Sequence, residues 1–360
     1  MPVPKSHVTL EVIARELGVS RATVSNAYNR PDQLSPKLRK RILGAATRLG
    51  YLGPDPMARS LRRGRANAVG LVVDESLTYT VEDPAALRLL RGVAQECQER
   101  GLALVLVPPR TANGEAPGAL DTAIADGFIL HCDNTTLATR ARIKARGLPL
   151  VFVDGPDDEH DEVGIDDEGG ARSCAEHLLG LGHRRLAVVS LPRDPADDRR
   201  GLISRRDQDR AAYNVVRSRL RGYRSAVEAA GLAWRDVPVV SGGRTPSFSV
   251  AGAEALRLLL KRAKPPTGVL AMSDELARGV LAAAADEGID VPGQLSVVGF
   301  DDVTGSGPAT PSLTTIRQPH ELKGRTAVQL LLEPSPTRRR CILPIELVVR
   351  DSTGPPPFVT

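Results

Sequence analysis

Residues 9–29 read TLEVIARELGVSRATVSNAYN, and their apolar spacing predicts two short helices joined by a tight turn. The first helix has apolar residues at the intervals of one helical face, namely Leu10, Ile13, Ala14 and Leu17. Gly18 follows them, as is common at helix ends, because glycine adopts the left-handed backbone without a steric penalty. The second helix begins after Ser20, whose hydroxyl is a good N-terminal cap. Two helices connected in this way form a helix-turn-helix, which places its second helix in the major groove of DNA.

The residues that follow predict a third helix with a basic outer surface. Ser35 is a candidate N-cap, Pro36 suits the first helical position, and Gly50 stands where the helix would end. The inward positions of this helix are apolar: Leu38, Ile42, Ala45 and Leu49. Residues 1–67 carry 13 Lys and Arg against 4 Asp and Glu, a net charge of +9, whereas the other 293 residues carry 35 against 39. A basic head on a mildly acidic body indicates a polyanion bound at one end of the molecule.

Residues 53–67, GPDPMARSLRRGRAN, predict a linker. Gly53, Pro54 and Pro56 disfavour regular structure, and the basic stretch after them lacks the apolar area to stay folded alone. We expect this linker to order only on contact with a partner. Its positive charge indicates the same polyanion.

From Ala68 onward, apolar runs alternate with amphipathic stretches, which indicates an α/β body. The predicted strands are residues 68–73, 102–107, 126–130, 148–154, 186–190, 237–240, 267–273 and 295–301. The predicted helices include residues 85–100, 168–181, 220–230, 250–262 and 274–287. Continuous apolar strands between helices are typical of parallel sheets covered on both faces. Eight strands exceed one typical sheet, so we expect two doubly wound lobes with a ligand cleft at the carboxyl ends of their strands.

Missing motifs argue against several function classes. The sequence has no GxGxxG after its first strand, no Walker A motif and no GxSxG, so we expect neither an enzyme nor a bound cofactor. Cys97, Cys132, Cys174 and Cys341 form no CxxC pair, and no histidine stands at metal-ligand spacing, which predicts reduced thiols and no metal site. The chain has no apolar segment after Met1 and no apolar run of about 18 residues. We therefore expect a cytoplasmic protein without a membrane partner.

Many motifs, in this order, resemble those of the lactose/galactose repressor family of transcription regulators. They include VTLEVIARELGVSRATVS at residues 8–25, SPKLRKRI at 35–42 and ARSLRRGRANAVGLVV at 58–73. Further along the chain they include HLLGLGHRRLAVVS, RLRGYRSAVEAAG, AMSDELARGVLAAAADEGIDVPGQLSVVGFDD and PSLTTIRQP. The resemblance covers about residues 1–350 and implies a small all-α headpiece followed by a body like the periplasmic sugar-binding proteins.

This resemblance implies a domain map and a set of partners. The implied segments are a DNA-binding headpiece at 1–52, a hinge at 53–67, an effector-binding and dimerisation body at 68–350 and a tail at 351–360. The first lobe would comprise 68–160 and 302–330, and the second lobe 161–301 and 331–350, with ILPIELVVR (342–350) as its final strand. The family acts on near-palindromic operators, so the implied partners are operator DNA, a small-molecule effector and a second copy of the chain. The tail cannot build a coiled coil, which favours a homodimer over a tetramer.

The resemblance also implies which residues contact DNA. The family's base-reading positions are occupied by Arg21, Ala22 and Asn26, with Ser25 exposed beside them. Arg21 suits guanine, and Ala22 suits a thymine methyl. Asn26 suits adenine and stands where Arg is common in the family. Hydroxyl and amide residues near helix ends are assigned to phosphates, with simple capping as an alternative for Thr9 and Ser35: Thr9, Ser20, Thr23, Asn29 and Ser35. In the hinge, residues at about 56–63 would form a helix in the minor groove that includes Ala58 and the wedge residue Leu61. The alternative for Leu61 is packing on the body.

The resemblance also implies which residues contact the effector, and they stand near strand ends and helix starts: Asp74 or its neighbour Glu75, Asp154, Arg219, Phe248 and Asp274. Carboxylates accept from sugar hydroxyls, and Arg219 offers a planar fork of donors. The alternatives are an N-cap for Asp274 and a strand-end turn for Asp154. Aromatic residues make up only 3% of the chain, which favours a sugar or related polyol over a nucleobase or nucleoside.

Two further groups of residues belong to the predicted body. The charged stretch 193–216 either covers the mouth of the cleft or is a solvated loop. The histidines of the body are expected to be structural or surface residues: His131, His160, His177, His183 and His320.

The main competing class is a solute-binding protein of a transport system. Such a protein shares the predicted body but would carry a signal peptide in place of the basic helical head. The sequence therefore predicts a DNA-binding transcriptional regulator, most simply a repressor under allosteric control by a small molecule, while activator or co-repressor use stays open. We expect it to work at the nucleoid.

Overall fold

The structure is a computed structural model. It describes residues 8–51, 53, 64–73, 77–108, 118–131, 141, 143–155, 158–194, 197–243, 247–303, 311–333 and 335–357. The chain divides into two compact units, Met1–Asn67 and Ala68–Thr360.

The described residues of the first unit form three helices around a small apolar core. They are α1 (Leu10–Leu17), α2 (Arg21–Asn29) and α3 (Pro36–Arg48), with a 3-10 turn at Pro31–Gln33. The core consists of Ile13, Ala14, Val24, Ala27, Ile42, Ala45 and Ala46. Gly18 ends α1 with a φ of 64°, the left-handed conformation that the sequence predicted there. The predicted helix-turn-helix is therefore present.

Two of the three predicted N-cap residues of these helices make a capping hydrogen bond through their side chains. The Ser20 hydroxyl accepts from the Thr23 amide at 3.0 Å, and the Ser35 hydroxyl accepts from the Leu38 amide at 3.3 Å. Thr9 occupies the N-cap position of α1 in an extended conformation, but in the described part of the chain its side chain makes no capping hydrogen bond. Capping therefore does not explain the hydroxyl of Thr9.

The first lobe of the larger unit is built on a six-stranded parallel sheet in the order β12-β5-β4-β3-β1-β2. Its strands are β1 (Ala68–Val72), β2 (Ala103–Val107), β3 (Phe128–His131), β4 (Leu150–Val153), β5 (Asp161–Ile165) and β12 (Arg340–Leu343). Its helices include α4 (Leu77–Glu82), α5 (Pro84–Glu99), α6 (Ala119–Thr122) and α12 (His320–Leu332). Alternate residues of β1 face two separate cores, since Val69 and Leu71 pack with α5 and α12 while Val72 packs with Phe128 on the other face.

Helices α5 and α12 pack closely because each has a glycine at their contact. A Cβ atom on Gly92 would lie 2.0 Å from the carbonyl oxygen of Glu321, and one on Gly324 would lie 2.4 Å from that of Leu89. Any side chain at either position would force the two helices apart. This contact fixes the position of α12, which carries residues of the site described below.

The second lobe is built on a five-stranded sheet in the order β10-β9-β6-β8-β7, parallel except for β7. Its strands are β6 (Leu186–Ser190), β7 (Gly201–Leu202), β8 (Val239–Ser241), β9 (Gly268–Ala271) and β10 (Ser296–Val298). Its helices are α7 (Asp167–Gly180), α8 (Arg205–Asp209), α9 (Asn214–Ala229), α10 (Phe248–Leu260) and α11 (Asp274–Asp286), with a 3-10 turn at Trp234–Asp236. The predicted α/β class with two doubly wound lobes is thus confirmed.

The boundary between the lobes differs from the predicted one. Strands β5 and β12 pair within the first sheet, although residues 161–165 and 340–343 were expected in the second lobe. The predicted final strand 342–350 is two strands, because Pro344 has no amide to continue a ladder: β12, and β13 (Glu346–Val348), which pairs with β11 (Thr315–Arg317). β5 escaped prediction because its sequence, DEVGI, lacks a continuous apolar run.

Two segments are more ordered than their composition indicates. Within 193–216, Arg193 donates two side-chain hydrogen bonds to Asp197, at 2.7 and 2.6 Å, and both residues are buried. In the predicted tail, Ser352 is fully buried and its hydroxyl donates to the Val297 carbonyl at 2.6 Å. Among the described residues, no helix has the length and apolarity needed to cross a bilayer.

Candidate functional site

A cavity of about 160 Å³ lies in the larger unit, at the carboxyl ends of strands from both sheets. His131 ends β3 and Asp154 follows β4 in the first lobe, while Leu191 follows β6 and Asp301 lies beyond β10 in the second. Helices α9 and α10 present their first turns to the same space, through Asn214 and Phe248 among others. Ligands of parallel α/β folds bind at such strand ends, so this cavity is the candidate effector site.

Three of the predicted effector residues meet at this cavity. Asp154, Arg219 and Phe248 line it. Asp274 is not among the lining residues, because its carboxylate accepts from the Thr315 hydroxyl at 2.5 Å and from the Val303 amide at 2.8 Å, which ties α11 to the crossing segments. The contact of Asp274 with the effector stays a prediction, while its neighbour Ser273 lines the cavity. Asp74 and Glu75 lie outside the described residues.

Several lining residues were missed by sequence reasoning: Thr80, Asp83, His131, Tyr213, Asn214, Asp301, Gln318 and His320. His131 and His320 were expected to be structural or surface residues, and both face the cavity instead. His131 and Asp301 follow apolar strands, a signal that the sequence did contain. Gln318 and His320 follow a short strand of only three residues, which carries too little pattern to place them.

A buried chain of hydrogen bonds links the polar residues of the cavity. Lys323 on α12 donates to Asp154 Oδ1 at 2.6 Å and to Gln318 Oε1 at 2.6 Å. Gln318 in turn donates through Nε2 to Asp301 Oδ1 at 2.5 Å. Asp154 and Asp301 have φ values of 59° and 129°, in the left-handed region that residues other than glycine rarely adopt. Backbone strain of this kind is concentrated at functional sites.

Arg219 is fixed by contacts on three sides. Its Nε donates to Asp167 Oδ1 at 2.8 Å, and a terminal nitrogen donates to the carbonyl oxygen of Met272. Its guanidinium carbon lies 3.6 Å from the centroid of the Phe300 ring. The side chain is buried, so the fork of donors is held rigidly against the cavity wall.

Burial and charge shift the pKa values of the lining groups in different directions. Burial alone would raise the pKa of the Asp154 carboxyl, but the charges of Lys323 and His131 outweigh it and the pKa is lowered. Burial lowers the pKa of His131 to about 4 and that of His320 to about 3. Burial raises the pKa of Asp83 to about 6. Near pH 7, both imidazoles are therefore neutral and Asp154 is ionised.

The recognition helix α2 exposes part of the predicted DNA-contacting set. Arg21 and Ala22 are exposed. Asn26 donates through Nδ2 to Gln33 Oε1 at 3.2 Å, a partner that sequence reasoning missed. The other polar residues are bonded locally: Ser20 to Thr23, Asn29 to Ser25, and Ser35 to the α3 backbone. Ala58 and Leu61 lie outside the described residues, and among those described no group of three or more His, Cys, Asp or Glu is arranged to hold a metal.

A helix-turn-helix unit and a two-lobed body with a cavity at its strand ends define a class of proteins, the ligand-controlled DNA-binding regulators. The family model for bacterial regulatory proteins of the lacI family matches residues 9–53, and that for the periplasmic binding protein-like domain matches residues 175–353. The chain belongs to the LacI family. It is therefore a DNA-binding transcriptional regulator and not an enzyme, as the sequence predicted.

Similar proteins cover nearly the whole chain. The HTH-type transcriptional regulator Rv3575c of Mycobacterium tuberculosis is 40% identical over 361 residues, 99% of each chain. The ribose operon repressor of Escherichia coli is 30% identical over 331 residues, 90% of this chain and 92% of its own.

Two solved structures show the same likeness. The complex of the transcriptional regulator CelR with cellobiose is 30% identical and covers 96% of this chain and 100% of its own, with a TM-score of 0.69. The lac repressor dimer bound to operator and the anti-inducer ONPF is 25% identical, with a TM-score of 0.75, 97% of this chain and 100% of its own.

Proposed function

We propose that this regulator is a repressor that binds a near-palindromic operator as a homodimer, and that a neutral sugar or related polyol in the cavity controls its operator affinity. The observation that carries the choice of ligand is the charge of the cavity wall. Three carboxyl groups line it, those of Asp83, Asp154 and Asp301, while Arg219 is the one Lys or Arg among the lining residues that the structure describes.

The cations of this region are already bonded to the protein. Arg219 donates to Asp167 and to a backbone carbonyl, and Lys323 donates to Asp154 and Gln318. A phosphorylated or carboxylated ligand would therefore meet carboxyl groups, and the described lining residues offer no unpaired cation to neutralise it. Hydroxyl groups, in contrast, can donate to carboxylates and to neutral imidazole nitrogens.

The size and apolar lining of the cavity point to a small ligand of the same kind. A cavity of about 160 Å³ is smaller than the roughly 300–1,000 Å³ that drug-sized ligands occupy. Ala85, Val215, Val216 and Phe248 supply apolar surface for the C–H groups of a sugar ring. A monosaccharide-sized polyol is favoured over a nucleoside. The cellobiose named in the CelR complex is a sugar, which supports the same ligand class.

On the DNA side, the proposal assigns base contacts to Arg21, Ala22 and Asn26 and minor-groove contacts to Ala58 and Leu61. Two copies related by a two-fold axis would read two half-sites, as the symmetry of a near-palindrome requires. Ligand binding that favours one arrangement of the two lobes would shift the population between DNA-binding and released states. This activity belongs in the cytoplasm, at the nucleoid.

Matched pairs of neutral and charged ligands test the proposal. Thermal unfolding of the full chain would be measured with ribose, glucose, ribose 5-phosphate, glucose 6-phosphate and adenosine. A ligand at 100 times its Kd adds about 2.7 kcal/mol of stability, so binding produces a clear shift in Tm. We expect a neutral sugar to raise the Tm and to release operator selected from a random DNA pool, and its phosphate to do neither. A larger Tm shift with a sugar phosphate or with adenosine would overturn the proposed ligand class. Tighter operator binding in the presence of the sugar would overturn the proposed release of the operator.

A further inference from the structure

Lys323 is a fully buried lysine, with 1% of its surface exposed. A lysine is almost never buried to this extent unless it is paired, because removing an ammonium group from water is costly. Its Nζ donates to Asp154 Oδ1 and Gln318 Oε1, both at 2.6 Å. Lys323 does not itself line the cavity, but both of its partners do.

The lysine connects the acceptors of both lobes. Asp154 follows β4 of the first sheet, and Asp301 lies beyond β10 of the second. Gln318 joins them, because its Oε1 accepts from Lys323 while its Nε2 donates to Asp301 at 2.5 Å. The amide of Gln318 is thus oriented by a cation on one side and a carboxyl group on the other. The ammonium group thus bonds directly to two lining residues and is linked to a third, Asp301, through Gln318.

The charged and titratable groups around this ammonium lie on four elements. Asp154 follows β4, His131 ends β3, His320 begins α12, and Asp167 begins α7. His131 Nε2 lies 3.9 Å from Asp154 Oδ2, the carboxylate oxygen that does not accept from Lys323. Without Lys323, the Asp154 carboxylate would still face the His131 imidazole, which can carry a proton.

We propose that Lys323 is a positioning residue of the effector site, which holds Asp154 as an ionised acceptor and keeps His131 neutral, so that the first-lobe wall selects ligands that donate hydrogen bonds. This inference rests on the proposed effector cavity. It goes beyond it, because it identifies a residue outside the cavity that sets the charge within it.

The test follows the proton of the Asp154–His131 pair and needs no ligand. Full-length protein would be labelled with 13C-histidine, and the His131 resonance would be assigned with the variant His131→Gln. This resonance would then be titrated with pH in the wild type and in three variants: Lys323→Met, Lys323→Gln and Lys323→Arg. The wild type should take up this proton near pH 4. Lys323→Met removes the cation that opposes protonation, so the pair should take up its proton at least one pH unit higher. Lys323→Arg keeps the charge and should restore the wild-type midpoint.

The second uncharged variant covers the case in which the apolar one does not fold. Lys323→Gln keeps a hydrogen-bond donor toward Asp154 but carries no charge, so it should shift the midpoint in the same direction as Lys323→Met. A midpoint that stays within a few tenths of a pH unit of the wild type in either folded variant would overturn the proposal. Failure of every sugar to bind would contradict the proposed effector class and leave this titration unaffected, so the two outcomes are distinguishable.

Discussion

The guanidinium carbon of Arg219 lies 3.6 Å from the centroid of the Phe300 ring. Arg219 is on α9, and Phe300 directly precedes Asp301, so this contact joins a helix to the segment that follows β10. A buried guanidinium stacked on a ring gains electrostatic attraction and loses little water, because Arg is weakly hydrated. The stacking orients the donor fork of Arg219 at the cavity wall.

We expect Arg219→Lys to reduce effector affinity at least tenfold while leaving operator binding intact. Lysine keeps the charge opposite Asp167 but loses the planar fork and the stacking on Phe300, and hydrogen bonds of charged groups contribute about 1.5–3 kcal/mol. Operator release would be measured by fluorescence anisotropy with the sugar that binds the wild type. Arg221→Lys is the matched control, since Arg221 lies on the same helix with its side chain exposed and pairs with Glu168 at 2.9 Å. Equal loss in both variants would contradict a specific role for Arg219.

Asp83 should make stability depend on pH. Burial raises its pKa from 3.8 to about 6, so the folded state binds this proton more tightly than the unfolded state does. The contribution of Asp83 to the free energy of unfolding is therefore fully present below about pH 4, and it is lost as the pH rises through 6. By pH 7 the loss reaches on the order of 3 kcal/mol, since each pKa unit corresponds to 1.36 kcal/mol.

Asp83→Asn should accordingly gain stability over the wild type as the pH rises from 4 to 7, because asparagine cannot ionise and still caps α5. The Asp83 carboxylate accepts from the Ala86 amide at 3.1 Å, a role that an amide oxygen can take over. The difference in Tm between the two proteins would be measured across this range. Asp166→Asn, at the exposed N-cap of α7, is the control for replacing a capping carboxyl with an amide, and its Tm would be measured over the same pH range. A flat difference for Asp83→Asn as well would refute the assignment.

The sequence was sufficient for the fold class because its long elements carry their own periodicity. Each of the eight predicted strands overlaps an observed strand, and the buried residues of α1 lie on the predicted face. Prediction failed where tertiary pairing, not local pattern, decides the structure. The strand DEVGI reads as polar, and it becomes a strand because β4 and β12 flank it in the sheet.

Most of the candidate site was beyond sequence reasoning for the same reason. Asp154 and Arg219 were found because the family resemblance places effector contacts there, beside a strand and on a helix. Whether Asp274 faces the ligand or the Thr315 hydroxyl depends on a residue 41 positions away. The local sequence does not indicate that Lys323 is buried, because a lysine in an amphipathic helix is predicted to lie on the exposed face.

Gln33 should sharpen base selection by Asn26. Asn26 donates one amide hydrogen to Gln33 Oε1 at 3.2 Å, which leaves its other amide hydrogen and its oxygen for the edge of adenine. Gln33→Ala should reduce discrimination at that base pair by up to tenfold in selections from random DNA, without changing the salt dependence of binding. Asp32→Asn, in the same exposed turn, should leave the selected sequence unchanged. A changed preference at several base pairs would contradict a role confined to Asn26.

Leu61→Ala should weaken operator binding far more than binding to non-specific DNA. Leu61 lies outside the described residues, and its wedge role follows from the family resemblance. A wedge that opens a base step contributes only where the hinge folds in the minor groove of the operator. Affinities for operator and for random-sequence DNA would be compared at one salt concentration, because both vary steeply with salt. Equal losses for the two DNAs would refute the wedge.

Ser352→Ala should destabilise the second lobe by about 1–3 kcal/mol. The Ser352 hydroxyl donates to the Val297 carbonyl at 2.6 Å and accepts from the Thr314 amide at 2.8 Å, so its removal leaves two buried backbone groups unpaired. Urea unfolding of the full chain would be followed by the fluorescence of Trp234, the single tryptophan of the sequence, which is buried in this lobe. Ser335→Ala is the control, because Ser335 is exposed and bonds only to its neighbour Thr337 in the described part of the chain. If both variants unfold at the same urea concentration as the wild type, the end of the chain does not anchor this lobe.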